Sequence, residues 1–269
     1  MSMDPDTLAR RIVADIRAAR PFAPYATSPP RSLAQAYALQ DRVLALMGGE
    51  AADDSGPAVG GWKIAANSAA LMARFGVDEP LSGRVLAAQR HDSPARLRAA
   101  DYRQFAFEPE IAAVMGRDLA PASAPFTRQQ VAAAIDRFVP AMELLDMRDA
   151  DMPAMHIADA VAQNISNVGA VLGGPGVAAE ALSGALDPAT IRTRLIIDGE
   201  TRHDVTGAAP EHPVDAVLWL ANHLAARGQV LAAGQLVLCG THSPIWHHEG
   251  AGTITVQMSG LGSVSLRLG

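Results

Sequence analysis

The chain of 269 residues is 49% hydrophobic and carries a formal net charge of −6, which suits one large domain or two small ones with a substantial core. This acidic balance argues against a nucleic-acid or membrane-surface partner, and no apolar run approaches the ~20 residues of a membrane helix. The one cysteine, Cys239, excludes a disulfide within the chain, and the charged N-terminus is no signal peptide. We expect a soluble, cytoplasmic protein.

Two helices are predicted near the N-terminus. Asp4–Pro5 is typical of a helix start, and apolar residues recur every fourth position from Leu8 to Ile16. Ser32 and Gln35 form a capping-box pattern before a second apolar stripe.

The segment GGEAADDSGPA, residues 48–58, is small and polar. We predict that it is a flexible link between an N-terminal helical portion, residues 1–55, and a catalytic portion, residues 56–269. The helical portion is expected to pack on the catalytic one.

After this link the sequence predicts short strands and turns. Asp198-Gly199 is a strong hairpin signal, and capping residues predict helices over 127–138 and 213–228. Because strands outnumber helices and do not alternate with them, the predicted fold class is α+β, a mixed and strongly curved β-structure with surrounding helices. The predicted strands are 59–66, 108–116, 139–147, 192–199, 235–240, 253–258 and 263–268.

Two carboxylates lie one residue apart in the apolar stretch FEPEIAAVMG. In a strand, Glu108 and Glu110 share one face with Ala106, Ala112 and Val114. A solvated face is the ordinary explanation for Glu-x-Glu, but these apolar neighbours indicate a site enclosed by core residues.

A third acid, Glu143, has a similar apolar setting in PAMELLD. Buried like charges repel unless a cation lies between them. Three carboxylates form a hard, all-oxygen site, which favours Mg²⁺, Mn²⁺ or Ca²⁺.

Six motifs follow one another along the chain: GGWKIA, GVDEP, FEPEIA, PAMELLD, HPVDAVLWLA and LGSVSLRL. They belong to a resemblance that extends from about Leu33 to the C-terminus. Their order and spacing resemble those of the 2-hydroxypentadienoate (2-keto-4-pentenoate) hydratases and, about as well, those of the 4-oxalocrotonate decarboxylases. Both groups lie within the fumarylacetoacetate hydrolase superfamily and are associated with aromatic catabolism.

The resemblance implies a mixed β-roll preceded by N-terminal helices, assembled as a homo-oligomer. Glu108, Glu110 and Glu143 match the metal-binding acids of that family, with Mg²⁺ as the usual ion and Mn²⁺ as an alternative. Lys63 matches a lysine near the substrate, and it is the predicted catalytic residue. The other explanation for Lys63 is a side chain at a strand end that reaches solvent.

Three positions depart from the hydratase pattern. Leu81 replaces an aspartate that serves in acid–base chemistry, and the decarboxylases also have an apolar residue there. The motif VAQN, which ends at Asn164, lacks the usual acid before the asparagine. The loop CGTHSPIWHHEG is richer in histidine and tryptophan than the corresponding family loop. We predict that it lines the substrate pocket, with His242 or His247 as an acid–base substitute for the missing aspartate. Leu81 and Asn164 are the other predicted pocket residues.

The leading functional hypothesis is a Mg²⁺-dependent lyase that hydrates a 2-hydroxypenta-2,4-dienoate or a related small 2-oxo acid. Asp78 and Glu79, just before Leu81, are candidates for the missing base. The alternatives are decarboxylation of a 4-oxalocrotonate-type enedioate, tautomerisation of an oxo acid, and a non-catalytic protein that binds 2-oxo acids.

Overall fold

A computed structural model describes residues 4–23, 32–48, 58–152, 155–182 and 186–269. Within these ranges the chain forms seven α-helices and two β-sheets of mixed strand direction. The helices are α1 (Pro5–Arg17), α2 (Leu33–Met47), α3 (Ala69–Phe75), α4 (Arg128–Ala134), α5 (Ile157–Ala162), α6 (Ala179–Leu182) and α7 (Pro213–Ala226).

The strands are β1 (Val59–Ala65), β2 (Leu81–Leu86), β3 (Arg90–Asp92), β4 (Ala95–Leu97), β5 (Phe105–Met115), β6 (Ile135–Asp146), β7 (Asn167–Leu172), β8 (Gly174–Pro175), β9 (Val177–Ala178), β10 (Arg192–Ile197), β11 (Glu200–Thr206), β12 (Leu236–Thr241), β13 (Trp246–His247), β14 (Gly252–Met258) and β15 (Gly262–Leu268). The predicted strands are therefore confirmed, although several of their ends differ. The predicted link over 48–58 lies outside the described residues except for its two ends.

The two N-terminal helices begin where their caps predict. The Asp4 side chain accepts hydrogen bonds from the backbone N–H groups of Asp6 and Thr7, and Ser32 accepts one from Gln35. Apolar side chains of α1 and α2 share a core with Ala162 of α5. This contact joins the two helices to a helix of the later part of the chain. The division at residue 55 stays a prediction.

The larger sheet has the order β2-β1-β12-β5-β6-β7-β3, with β13 added to β5 and β9 to β6. Its curvature is strong enough that β2 contacts β7, although four strands separate them in the sheet order. The inner face of this roll holds the small apolar side chains of β5, β6 and β12, and it also holds the site described below.

The smaller sheet has the order β11-β10-β14-β15-β4, with β8 added to β15. It packs with α7 against the outer face of β5 and β6, where Phe107, Phe138 and Met142 are fully buried. Asp198 and Gly199 adopt positive φ angles of 49° and 84° between β10 and β11, so the predicted hairpin is confirmed.

One predicted helix is too long. The capping box of Thr127 and Gln130 is present, but α4 ends at Ala134, and the chain enters β6 at Ile135 without a loop. The reason is tertiary: Ile135 pairs with Met115 and Phe138 with Ala113 on β5, which satisfies backbone groups and buries both side chains.

Among the described helices, none is long and apolar enough to cross a membrane.

Candidate metal centre

The three predicted acids lie together on the inner face of the roll. Glu108 and Glu110 are two residues apart on β5, and Glu143 of β6 is directly opposite Glu108 in the antiparallel register. One carboxylate oxygen from each residue lies within 4.8 Å of the others. The alternation predicted for β5 is correct, because Ala112 packs on this face while Phe107 packs in the core between the sheets.

Three carboxyl groups at this separation cannot all ionise without a cost. Burial and the charge of Glu143 together raise the pKa of Glu108 to about 8, although the charge of Lys63 opposes the shift. Burial and the charges of Glu143 and Glu108 raise the pKa of Glu110 well above its ordinary value. The cluster therefore carries unfavourable negative charge that a cation would relieve.

Backbone and side-chain donors orient two of the carboxylates. The N–H of Gly240 donates to Glu110 Oε2 at 2.7 Å, and Asn167 Nδ2 donates to Glu143 Oε1 at 2.9 Å. The second oxygen, Glu143 Oε2, is buried and has no hydrogen-bond partner among the described residues. The three carboxylates offer hard oxygen ligands that lie close to one another, and one of their oxygens has no hydrogen-bond partner among the described residues. All three features fit a divalent cation such as Mg²⁺.

Lys63 reaches the acids from β1, which is three strands away from β6 in the sheet order. Its Nζ lies 3.2 Å from Glu143 Oε1, and the side chain is buried. Burial alone would lower the pKa of Lys63, but the charges of Glu143, Glu108 and Glu110 together raise it. Only the curvature of the roll allows side chains of such distant strands to meet.

A cavity of about 450 Å³ opens above the acids. Lys63, Glu108 and Glu110 line it, and so do Leu81 and His247. The rest of its wall is largely apolar, with side chains from β6, α5 and the segment between them. The volume suits a small organic acid.

Two predicted pocket residues lie elsewhere. His242 is buried, its Nδ1 is 2.8 Å from Thr193 Oγ1, and burial lowers its pKa to about 4. Asn164 uses its side chain to pair with the backbone of Arg84, accepting from the N–H and donating to the carbonyl oxygen, both at 2.7 Å. Asn164 thus completes the edge of β2 and holds its neighbours Ile165 and Ser166 against the cavity.

The candidate bases before Leu81 also lie away from the cavity. Asp78 and Glu79 are exposed, and Glu79 borders a separate groove between α2 and α7. His247, on β13, is the predicted acid–base residue that does line the cavity.

Sequence reasoning missed several groups of the site. The Gly240 N–H is a backbone donor and carries no signature in the sequence. Asn167 follows the VAQN motif by three residues, and nothing in that motif indicates that it contacts Glu143. Arg74 lies on α3, a helix that was not predicted, although the spacing of Leu71, Arg74 and Phe75 would have placed them on one helical face.

Comparison with known proteins identifies a family and several relatives. Residues 76–268 match the fumarylacetoacetate (FAA) hydrolase C-terminal family, and this range contains all three glutamates but not Lys63. A 2-keto-4-pentenoate hydratase of Burkholderia vietnamiensis is 32% identical over 239 residues, which is 88% of this chain and 87% of that protein. A 2-hydroxyhexa-2,4-dienoate hydratase of Comamonas testosteroni is 29% identical, over 97% of this chain and 96% of that one.

A solved structure of similar fold is the 4-oxalocrotonate decarboxylase of Pseudomonas putida G7, complexed with magnesium and adipate. It has a TM-score of 0.85 and 26% sequence identity, and the match covers 98% of this chain and 97% of that one.

The fold and the named relatives are those of a lyase-type enzyme, and the three carboxylates could hold a divalent metal ion. The chain belongs to the fumarylacetoacetate hydrolase family.

Proposed function

We propose that this protein is a Mg²⁺-dependent hydratase of a 2-hydroxypenta-2,4-dienoate-type acid. The observation that carries the proposal is the cluster of Glu108, Glu110 and Glu143, two members of which line a largely apolar cavity together with Lys63. The hydratase names of the relatives at about 30% identity support the choice of reaction.

The three glutamates would hold the ion, each through one oxygen. When bound, Mg²⁺ supplies Lewis-acid polarisation of the carboxylate and 2-oxo oxygens of a chelating substrate. The Gly240 N–H and Asn167 keep two of the carboxylates in place while substrate and water exchange.

Lys63 has a catalytic role in this proposal. Its Nζ is held beside Glu143, so it can donate a hydrogen bond to the substrate oxygen on which negative charge develops. The apolar wall around Leu81 limits the water that competes for this hydrogen bond.

Hydration also needs a group that accepts a proton from water. Leu81 cannot do so, and the placement of His247 on the cavity wall favours its imidazole over His242, which is buried and bonded to Thr193. We therefore assign the proton transfer to a ring nitrogen of His247.

Decarboxylation of a 4-oxalocrotonate-type enedioate is the second candidate. Leu81 favours it, because loss of CO₂ requires no base to activate water, and so does the fold similarity to the decarboxylase. Mn²⁺ would serve the same oxygen ligands as Mg²⁺. We further propose that the protein acts as a cytoplasmic homo-oligomer with no nucleic-acid or membrane partner.

One paired assay tests these candidates. The ultraviolet absorbance of 2-hydroxypenta-2,4-dienoate is followed with enzyme, with and without Mg²⁺, beside a CO₂ assay on 2-oxohex-3-enedioate. Mg²⁺-dependent loss of the dienol with formation of a 4-hydroxy-2-oxo acid is the expected result. CO₂ release alone would assign the decarboxylase, and silence in both with retained metal binding would favour a 2-oxo-acid-binding protein.

A further inference from the structure

We propose that Asn67 is a positioning residue of the metal centre. Its side-chain amide holds the peptide unit between Cys239 and Gly240, and that peptide unit holds the carboxylate of Glu110. The inference deepens the proposed function and rests on it only for the assignment of Glu110 as a ligand of the divalent ion.

The peptide unit between Cys239 and Gly240 lies in a β-bulge of β12. The pairing of β12 with β1 extends to Leu238, and its pairing with β5 shifts by one residue between Leu238 and Thr241. An extra residue of this kind takes backbone groups out of the ladder and redirects them. The N–H of Gly240 accordingly donates to a side-chain oxygen, Glu110 Oε2, at 2.7 Å.

The carbonyl oxygen of the same peptide unit is bonded to Asn67. Asn67 Nδ2 donates to the carbonyl oxygen of Cys239 at 3.0 Å, and the Asn67 side chain is buried. The two hydrogen bonds lie at opposite ends of one planar unit, so rotation of that unit would break both. Asn67 therefore fixes the direction in which the Gly240 N–H points.

Glycine at position 240 makes this support necessary. Gly240 has φ 110°, and glycine populates positive and negative φ about equally, so the backbone alone does not determine the orientation of the preceding peptide unit. A flipped unit would turn the Cys239 carbonyl oxygen towards Glu110 and bring two acceptors together. A Cβ atom at position 240 would lie 2.6 Å from Asn67 Nδ2, so glycine is also what allows Asn67 to approach.

Glu211 orients the amide of Asn67. Asn67 Nδ2 also donates to Glu211 Oε1 at 3.0 Å, so both of its hydrogens have an acceptor. The opposite orientation of the amide would place Asn67 Oδ1 against a carboxylate and a carbonyl oxygen, neither of which can donate. The hydrogen bonds therefore connect Glu211, Asn67, the peptide unit and Glu110 in that order.

Asn67 reaches this position through the turn that follows β1. Ala66 has φ 55°, in the left-handed region that alanine rarely adopts, and Ser68 then caps α3 by accepting from the N–H of Leu71. Lys63 lies four residues before Asn67, on β1 itself. The end of β1 thus supplies both the lysine beside the acids and the amide that positions one of them.

A fixed Glu110 favours a small ion. The hydrogen bond on Oε2 favours coordination through the other oxygen of Glu110. Mg²⁺ demands near-ideal octahedral geometry, whereas Ca²⁺ accepts a larger and more variable set of oxygens, bidentate carboxylates among them. We therefore expect Asn67 to contribute to the affinity for Mg²⁺ and to the selectivity for Mg²⁺ over Ca²⁺.

Isothermal titration calorimetry of the metal-free protein with MgCl₂ and with CaCl₂ tests the inference. Metal binding is measured because Asn67 also lines the cavity, where its loss would alter substrate binding as well. Asn67→Leu keeps the approximate volume of the side chain and removes its hydrogen bonds. It should raise the Kd for Mg²⁺ about tenfold, the usual effect of removing a group that orients a metal ligand, and the Kd for Ca²⁺ by less.

Asn222→Leu is the matched control. Asn222 lies on α7 and bonds the backbone of Phe126 through both ends of its amide, as a structural asparagine does. This substitution should lower the Tm in EDTA and leave both Kd values as in the wild type.

A pair of substitutions at Glu211 keeps the test decisive if Asn67→Leu does not fold. Glu211→Gln and Glu211→Leu both remove the charge, but only glutamine retains an oxygen that accepts from Asn67. Glu211→Gln should therefore bind Mg²⁺ more tightly than Glu211→Leu, and equal Kd values would overturn the inference. Circular dichroism verifies that each variant is folded.

An unchanged Kd for Mg²⁺ in Asn67→Leu also overturns the inference, and so does an equal rise in both Kd values, because a general loosening of the site weakens both ions alike. If the dienoate is hydrated with Mg²⁺ while Asn67→Leu binds both ions as the wild type does, the proposed function stands and the role of Asn67 fails. If Asn67→Leu loses Mg²⁺ affinity selectively while the wild type catalyses neither reaction, the inference stands and the hydratase function fails.

Discussion

Replacing Glu108 with glutamine should stabilise the metal-free protein and weaken its response to Mg²⁺. In the folded, metal-free protein the pKa of Glu108 is about 8, against an ordinary value of 4.5, because desolvation of this half-buried side chain and the charge of Glu143 opposite it both raise the pKa. A carboxyl group with a raised pKa leaves stability intact below pH 4.5, and stability falls as the pH rises towards 8.

The size of the effect follows from this shift. At pH 7 the raised pKa of Glu108 lowers the free energy of unfolding by up to about 3 kcal/mol, at ~1.4 kcal/mol for each pH unit above the ordinary pKa, because the unfolded chain releases a proton that the folded protein retains. Glutamine resembles the neutral acid in shape and removes this cost, which corresponds to a rise in Tm of roughly 5–10 °C. At pH 5 the gain should fall below about 1 kcal/mol, because this pH is only about half a unit above the ordinary pKa of the unfolded carboxyl group.

Calorimetric melting in EDTA and in Mg²⁺ measures both effects. In EDTA at pH 7 Glu108→Gln should melt above the wild-type protein, and addition of Mg²⁺ should raise the wild-type Tm more than that of the variant, which has lost a ligand. Glu249→Gln, at an exposed glutamate, is the control and should behave as the wild type. A lower Tm of Glu108→Gln in EDTA, or an unchanged Mg²⁺ response, would refute the reasoning.

Three further predictions concern the pocket. Leu81→Asp should raise the rate of dienoate hydration in the ultraviolet assay. It should also lower the Tm, because Leu81 is 1% exposed and a buried carboxylate is costly. No gain in hydration would argue against a hydratase-like pocket. His247→Gln should reduce kcat for hydration by about 10²-fold with little change in Tm. His242→Gln should chiefly lower the free energy of unfolding, by about 1 kcal/mol, because it loses the hydrogen bond to Thr193. Equal effects of the two substitutions on kcat would refute the assignment of His247. Asn164→Ala should lower the free energy of unfolding in urea by about 2–4 kcal/mol, because it leaves the backbone N–H and carbonyl of Arg84 without their partners. An unchanged urea midpoint would show that water replaces both hydrogen bonds.

Local features of this protein follow from the sequence because they depend on neighbouring residues. Caps at Asp4 and Thr127 and the hairpin turn at Asp198 are set by side-chain and backbone preferences over a few positions. The period of two along β5 likewise determined that Glu108 and Glu110 share a face, and apolar neighbours on that face indicated that it is enclosed.

The end of α4 was beyond local reasoning. Residues 135–138 continue an acceptable helical pattern, but pairing with β5 overrides this preference and starts β6 there. Helix propensity differs by less than ~1 kcal/mol per residue between ordinary amino acids, so strand pairing and core burial together decide the outcome.

The chemical partners of the three acids were decided by the tertiary structure. Lys63 reaches Glu143 because twist and curvature accumulate over several strands, and no local pattern records that sum. The Gly240 N–H is a group that every non-proline residue has, so only its position makes it a donor to Glu110. The sequence by itself therefore determined which residues could hold a metal ion, while the closed roll determined which groups orient them and which histidine faces the cavity.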